Sequence, residues 1–231
     1  MSDLYFRQLL AGRDFGRAHP VAGQMQNFVY LVGDKATREC VVIDPAWAIE
    51  DLLAIVAADG MKLVAAFGTH YHPDHIGGSM MGFNVDGFVR LLEHNPVPLH
   101  IHKGDAEFVR KVTGLGIADL TLRDAGDKVA VGRVEIEWLH TPGHTPGSCC
   151  FRVGGALVAG DTLFLQGCGR TDLPGGDPEE MARTLGQRFS ALPDDTIIFP
   201  GHNYGGPQAP LGRLRKDNPV FDPRVLQRML G

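Results

Sequence analysis

Thr69-His70-Tyr71-His72-Pro73-Asp74-His75-Ile76-Gly77-Gly78 sets three imidazoles and a carboxylate within six residues, directly after the apolar run Leu63-Val64-Ala65-Ala66-Phe67. Folding alone rarely gathers so many metal-competent groups in one turn. Imidazole with carboxylate suits zinc, iron or manganese. A short buried strand that ends in such a turn predicts a metal centre on a rigid scaffold, provided the chain returns with more ligands.

Upstream, Ser2 to Gly12, Asn27 to Gly33 and Cys40 to Ile43 read as strands, the last two as a hairpin turning around Gly33-Asp34-Lys35. A helix follows from about Trp47 to Asp59, with Ile49, Leu52, Leu53, Val56 and Ala57 on one face and Gly60 as its stop. Downstream, Ser79 to Pro98 is broken by glycine, asparagine and proline and reads as a loop with one helix, Phe88 to His94. Leu99 to His102 is a strand and Lys103 to Val112 a helix. Further strands are expected over Lys128 to Val131, Val134 to Leu139, Cys149 to Val153, Ala156 to Ala159 and Thr196 to Phe199. Asp177-Pro178-Glu179-Glu180 is a helix start, with Asp as N-cap and Pro in the first turn, followed by the apolar stripe Met181, Leu185, Phe189, Leu192. From about residue 207 a Pro-, Arg- and Asp-rich tail carries one late helix, Pro223 to Leu230.

The 231 residues suffice for one sizeable core, and no low-complexity linker divides them, so 1–231 reads as a single domain. A net charge of -5 with no polybasic stretch argues against nucleic-acid and anionic-membrane partners. No apolar run is long enough to span a bilayer. The N-terminus lacks the charged and apolar regions of a signal peptide. Cys40, Cys149, Cys150 and Cys168 form no C-x-x-C pair. Reduced thiols and a cytoplasmic location are therefore expected. Monomer and homo-oligomer both stay open.

The polar groups after each apolar run repeat the opening pattern. Val134 to Leu139 leads into His140-Thr141-Pro142-Gly143-His144; Ala156 to Gly160 into Asp161; Thr196 to Phe199 into Pro200-Gly201-His202. Four strand ends each deliver a small or turn residue and then a metal-ligand type. This arrangement, from about Asn27 to Tyr204, resembles the metallo-β-lactamase superfamily. The resemblance implies an α/β (α+β) fold, a four-layer αββα sandwich of mixed sheets with helices on the outer faces. It implies two divalent metals, zinc first and iron or manganese as alternatives. His70, His72 and His144 would hold one metal, Asp74, His75 and His202 the other, with Asp161 bridging. Asp74 and Asp161 would then be catalytic as well as ligands. Two cations sharing a carboxylate can share a water and acidify it, so that the bridging hydroxide attacks an acyl carbon without a Ser or Cys nucleophile.

Within the superfamily, Gly160-Asp161-Thr162-Leu163-Phe164, Gly167-Cys168-Gly169 and Gly201-His202-Asn203-Tyr204 are similar to motifs of the glyoxalase II group. That implies hydrolysis of a thioester or ester, such as a hydroxyacylglutathione. Arg170 stands where that group often has a glutathione-binding lysine, and with Tyr204 it is the candidate substrate contact. Only 29 residues follow His202, too few for the group's C-terminal helical domain. Gly-Cys-Gly-Arg-Thr-Asp also looks like the persulfide dioxygenases, which would use one iron on His70, His144 and Asp161 to oxidise glutathione persulfide. A lactonase or other small-ester hydrolase is a further alternative. Among the remaining histidines, His140 reads as strand-end packing or as a support behind the metal ligands, and His100 and His102 as structural. Arg170 and Asp172 could equally be an exposed ion pair, and Cys40, Cys149 and Cys150 small buried apolar residues.

Overall fold

The computed structural model describes residues 3–80 and 82–231. In chain order its elements are β1 (Leu4–Leu10), α1 (Ala22–Met25), β2 (Phe28–Asp34), β3 (Glu39–Ile43), α2 (Ile49–Ala58), β4 (Lys62–Phe67), α3 (Pro73–Ile76), β5 (Gly78–Met80), β6 (Phe83–Val85), α4 (Phe88–His94), β7 (Leu99–His102), α5 (Ala106–Thr113), β8 (Leu120–Arg123), β9 (Lys128–Val131), β10 (Val134–His140), β11 (Cys149–Val153), β12 (Ala156–Gly160), α6 (Pro178–Arg183), β13 (Ile197–Pro200), β14 (Ala209–Pro210), α7 (Leu211–Asp217) and α8 (Pro223–Met229).

Two mixed six-stranded sheets carry the fold, ordered β1-β2-β3-β4-β7-β8 and β14-β13-β12-β11-β10-β9. Strand alternation divides the apolar side chains between two faces. Tyr30, Val41, Ile43 and Phe67 of the first sheet meet Ile136, Trp138, Phe151 and Val158 of the second in the central layer. On its other face, the first sheet packs Leu31, Val42, Ala66 and Ile101 against Ile49, Leu52 and Val56 of α2, Phe88 and Leu91 of α4, and Val109 of α5. The second packs Cys150, Leu157, Ala159 and Ile198 against Met181, Leu185, Leu211 and Leu214 of α6, its continuation and α7. The result is the αββα sandwich. Cys149 and Cys150, adjacent in sequence, fall on opposite faces of β11, and all four cysteines are free. Among the described residues no helix is long and apolar enough to cross a membrane.

Several boundaries move for local reasons. The first strand starts at Leu4; Ser2 lies outside the described residues. The β2–β3 turn sits at Lys35–Arg38 rather than Gly33–Lys35, because the Asp34 carboxylate accepts the Ala36 N–H at 2.8 Å and Arg38 takes a left-handed φ of 63°. α2 starts at Ile49, not Trp47: Trp47 has φ 79° and its N–H bonds the Asp86 carbonyl. The stretch 79–98 holds a short hairpin, β5–β6, besides the expected α4. The edge strand β8 and the helix α7 have no counterpart in the sequence reading; both are short, and Pro, Arg and Lys surround α7. Asp177 does cap α6, accepting the Glu180 N–H at 3.0 Å.

Candidate metal centre

β12 and β13 run parallel, and β10 runs the same way across the intervening antiparallel β11. Their C-terminal ends therefore open on the same edge of the sandwich, opposite the end of β4. That is why His70–His75, His144, Asp161 and His202 converge. Close backbone approach makes it possible: a Cβ on Gly160 would lie 2.7 Å from Thr69, and one on Gly201 2.3 Å from the Asp161 carboxylate. Only glycine fits at either point.

Three groups of donor atoms come together: His70, His72 and His144; His70, His75 and Asp161; and Asp74, His75 and His202. His70 Nε2 and His144 Nε2 each lie 3.0 Å from His72 Nδ1. Asp161 spans the gap, with Oδ2 3.3 Å from His202 Nε2 and 3.6 Å from His144 Nε2, and Oδ1 3.3 Å from His75 Nε2. Asp74 Oδ2 is 3.4 Å from His202 Nε2 and 3.6 Å from His75 Nε2. His140 stays outside this cluster, its Nε2 donating to the Pro146 carbonyl at 2.8 Å.

The donor chemistry fits metal ions. His144 Nδ1–H donates to the Arg170 carbonyl at 2.6 Å and His202 Nδ1–H to the Met25 carbonyl at 2.7 Å. His75 Nδ1 bonds Asp44 at 2.9 Å. The Thr69 hydroxyl gives its proton to Asp44, so it accepts from His70 Nδ1–H at 3.0 Å. Each of these rings thus has its outer nitrogen fixed and its inner one free, the usual state of a ligand histidine. His70 and His144 both aim bare lone pairs at one His72 nitrogen, and a proton there could serve only one of them. Asp161 Oδ1 is buried without a hydrogen-bond partner. Cations between these atoms resolve both oddities.

Electrostatics divide the cluster in two. Burial, reinforced by the neighbouring imidazoles, pushes His70 and His144 below the ordinary range and His72 to about 4. His75 is also buried, but Asp161, Asp74 and Asp44 outweigh the desolvation and raise it to about 9. His202 is raised the same way by Asp161 and Asp74, so both rings favour a proton on the same nitrogen where a cation would displace it. Against their burial, Asp74 and Asp161 are held below the carboxylate range by His75 and His202.

Some supporting residues carry no motif that the sequence reading recognised. Asp44, read there as a strand stop, ties Thr69 and His75 together. Asn27 Nδ2 donates to Asp74 at 3.1 Å, while its oxygen accepts the Trp47 indole N–H. Tyr30 donates to the Pro200 carbonyl at 2.5 Å, two residues before His202. The only available signal was position: Asp44 directly follows β3, the strand parallel to β4.

A cavity of about 610 Å³ opens over the cluster, walled by Met25, Tyr71, Met80, Phe164, Leu173 and Pro174, with Arg170 and Tyr204 at its lining. Tyr204 is 41% exposed and stacks on His202, with centroids 4.9 Å apart and planes 7° apart. The Arg170 guanidinium forms the exposed ion pair with Asp172, at 2.7 and 2.9 Å. Burial pushes the Cys168 thiol up to about 11, which makes it a poor nucleophile.

Known proteins are similar to this chain in sequence and fold. The chain is 36% identical over 196 residues to the hydroxyacylglutathione hydrolase of Rhodospirillum rubrum, covering 82% of this chain and 67% of that one. To the mitochondrial persulfide dioxygenase ETHE1 of Homo sapiens it is 35% identical over 182 residues, covering 78% of this chain and 65% of that one. The chain thus spans about two thirds of either relative. The crystal structure of ETHE1 from Myxococcus xanthus superimposes with a TM-score of 0.75 at 30% identity, covering 97% of this chain and 89% of that one. Residues 22–202 match the model of the metallo-beta-lactamase superfamily, and the protein belongs to that superfamily.

Proposed function

We propose that the protein is a binuclear metal-dependent hydrolase acting on a thioester or ester of a small acyl compound, with a hydroxyacylglutathione as the leading candidate. The observation that carries this reading is the sharing of Asp161 between two donor groups, His70–His72–His144 and Asp74–His75–His202. Divalent metals held there supply an acidified water and a Lewis acid for a carbonyl. The chain's own residues do the rest. Asp74 and Asp161 bring the negative charge that offsets two cations. The Nδ1 contacts of His144, His202 and His75 fix ring orientation and leave Nε2 free to bind. The apolar wall of Met25, Met80, Phe164 and Leu173 suits the non-reacting part of a thioester and keeps bulk water away from the reacting carbonyl. Tyr204 offers a hydroxyl at the rim, and Arg170 a guanidinium that an anionic substrate end would have to draw away from Asp172.

A second reading, a mononuclear-iron persulfide dioxygenase, is favoured by the near-equal identity to ETHE1. It would use His70, His144 and Asp161, which lie in the same centre. One experiment separates the two. Metal content of the purified protein is measured beside turnover of S-lactoylglutathione and oxygen uptake with glutathione persulfide. Two metals per chain with thioester turnover and no oxygen uptake is the expected result. A single iron with oxygen consumption would sink the hydrolase.

A further inference from the structure

Asp105 is fully buried at the turn between β7 and α5, and among the described residues no cation pairs with it. Its carboxylate accepts three donors. Oδ2 takes the Tyr71 backbone N–H at 3.0 Å and the Thr145 hydroxyl at 2.7 Å; Oδ1 takes the Gly147 N–H at 2.6 Å. Tyr71 lies between His70 and His72, and Thr145 follows His144. The packing is close, since a Cβ on Gly147 would lie 2.7 Å from the Asp105 carboxyl carbon. The other half of the centre is held by different groups: Asn27 on Asp74, Asp44 on His75 and the Met25 carbonyl on His202. Asp105 makes no hydrogen bond to any of them. Burying a carboxylate without a cation is costly. An acceptor-only group, however, clamps three donors from two turns at once, which an amide cannot.

Building on the two-metal reading, we propose that Asp105 is a positioning residue for the three-histidine half of the centre alone, joining the turn after β4 to the turn after β10 without touching a ligand atom.

The test is Asp105→Asn in the full chain, which sets an amide NH₂ against backbone or hydroxyl donors. Zinc is titrated into metal-stripped protein against a chelator. Cobalt-loaded protein is followed by paramagnetic proton NMR of its imidazole N–H groups. The expected result is that one zinc site weakens about 10-fold, the low end of the range for residues that bond a ligand directly, because Asp105 acts one bond further out. The N–H signals of His70 and His144 should shift or vanish while those of His75 and His202 persist. Thr145→Val, which removes one donor of three, should weaken the same site by a smaller factor, and Asn27→Ala should disturb the other set. Wild-type zinc affinity at both sites in Asp105→Asn would overturn the proposal. So would equal weakening of both sites together with a lowered Tm, the mark of a general structural role. If Asp105→Asn does not fold, unchanged zinc affinity in Thr145→Val overturns it. A wild-type protein that binds no zinc at the three histidines fails the underlying reading before any variant is compared.

Discussion

Two groups of buried and half-buried histidines lie close together in this molecule. In one, His70, His72, His75, His144 and His202 ring a pair of carboxylates. In the other, His102 stacks on His140 with centroids 4.0 Å apart and planes 14° apart, and His100 lies against Phe67. Residue type and burial do not distinguish them; the use of the ring nitrogens does. His102 Nδ1 accepts from the Gly104 N–H, His100 Nδ1 accepts from Arg123, and His140 Nε2 donates to the Pro146 carbonyl. Those nitrogens are spent on local structure. His70, His75, His144 and His202 spend their outer nitrogens in the same way but aim the inner ones at one another, at His72 and at Asp161. A histidine is read as a ligand when its second nitrogen faces other donors, not when it is merely buried.

The sharpest way to break that contrast is to remove the shared carboxylate. Asp161→Asn keeps the volume but takes away the charge that both donor groups face. Activity and metal content should fall more than 100-fold, beyond the roughly 10–100-fold that outer partners of ligands control. Metal analysis beside a turnover assay reads both. An Asp161→Asn protein that keeps two metals and most of its activity would remove the basis for a shared bridge.

The next largest effect separates the two histidines of one turn. His144→Ala should abolish binding at the three-histidine position. His140→Ala should leave metal content and turnover within a few-fold of wild type, and lower stability by about 1–3 kcal/mol through the lost hydrogen bond and packing. If His140→Ala proves the more damaging of the two for metal, the assignment within His140-Thr141-Pro142-Gly143-His144 is reversed.

Much of this was legible in the chain because the clustered donor residues follow strand ends, and a strand written as a short apolar run marks its own end. His70, His144, Asp161 and His202 each stand within a few residues of one. The αββα layering and the division of the donors between two metals came with the family resemblance. What stayed hidden depends on pairs far apart in sequence. Asp105 meets Thr145 across 40 residues and Asn27 meets Asp74 across 47, and neither carries a local pattern. Asp44 reads as a strand stop because Pro45 follows it, while its carboxylate serves Thr69 and His75. β8 was missed because Leu120-Thr121-Leu122-Arg123 is a four-residue edge strand, which needs only its partner β7 to exist.

The smallest expected effect concerns the second histidine group and pH. Burial, together with Arg123, lowers His100 to about 4, and burial, together with His140, lowers His102 to about 4. Both are therefore neutral in the folded protein, while an unfolded histidine titrates near 6.5. As pH falls from about 6.5 to about 4, the unfolded chain takes up protons that the folded one refuses, so stability is lost across that window. Both residues are nearly inaccessible, at 5% and 3% exposure. With some allowance for solvent screening, the loss is roughly 2 kcal/mol for each. His102→Gln, which cannot titrate, should be less stable at pH 7, because it loses the stack on His140, yet its denaturant midpoint should fall less steeply between pH 6.5 and 4 than that of the wild type. Metal loss in acid acts on both proteins alike and drops out of the difference between slopes. Equal slopes would mean that His102 is protonated within the fold, with Asp124, 3.7 Å from its Nε2, as the counter-charge. It would then be a charged partner of Asp124 rather than a neutral packing histidine like His100.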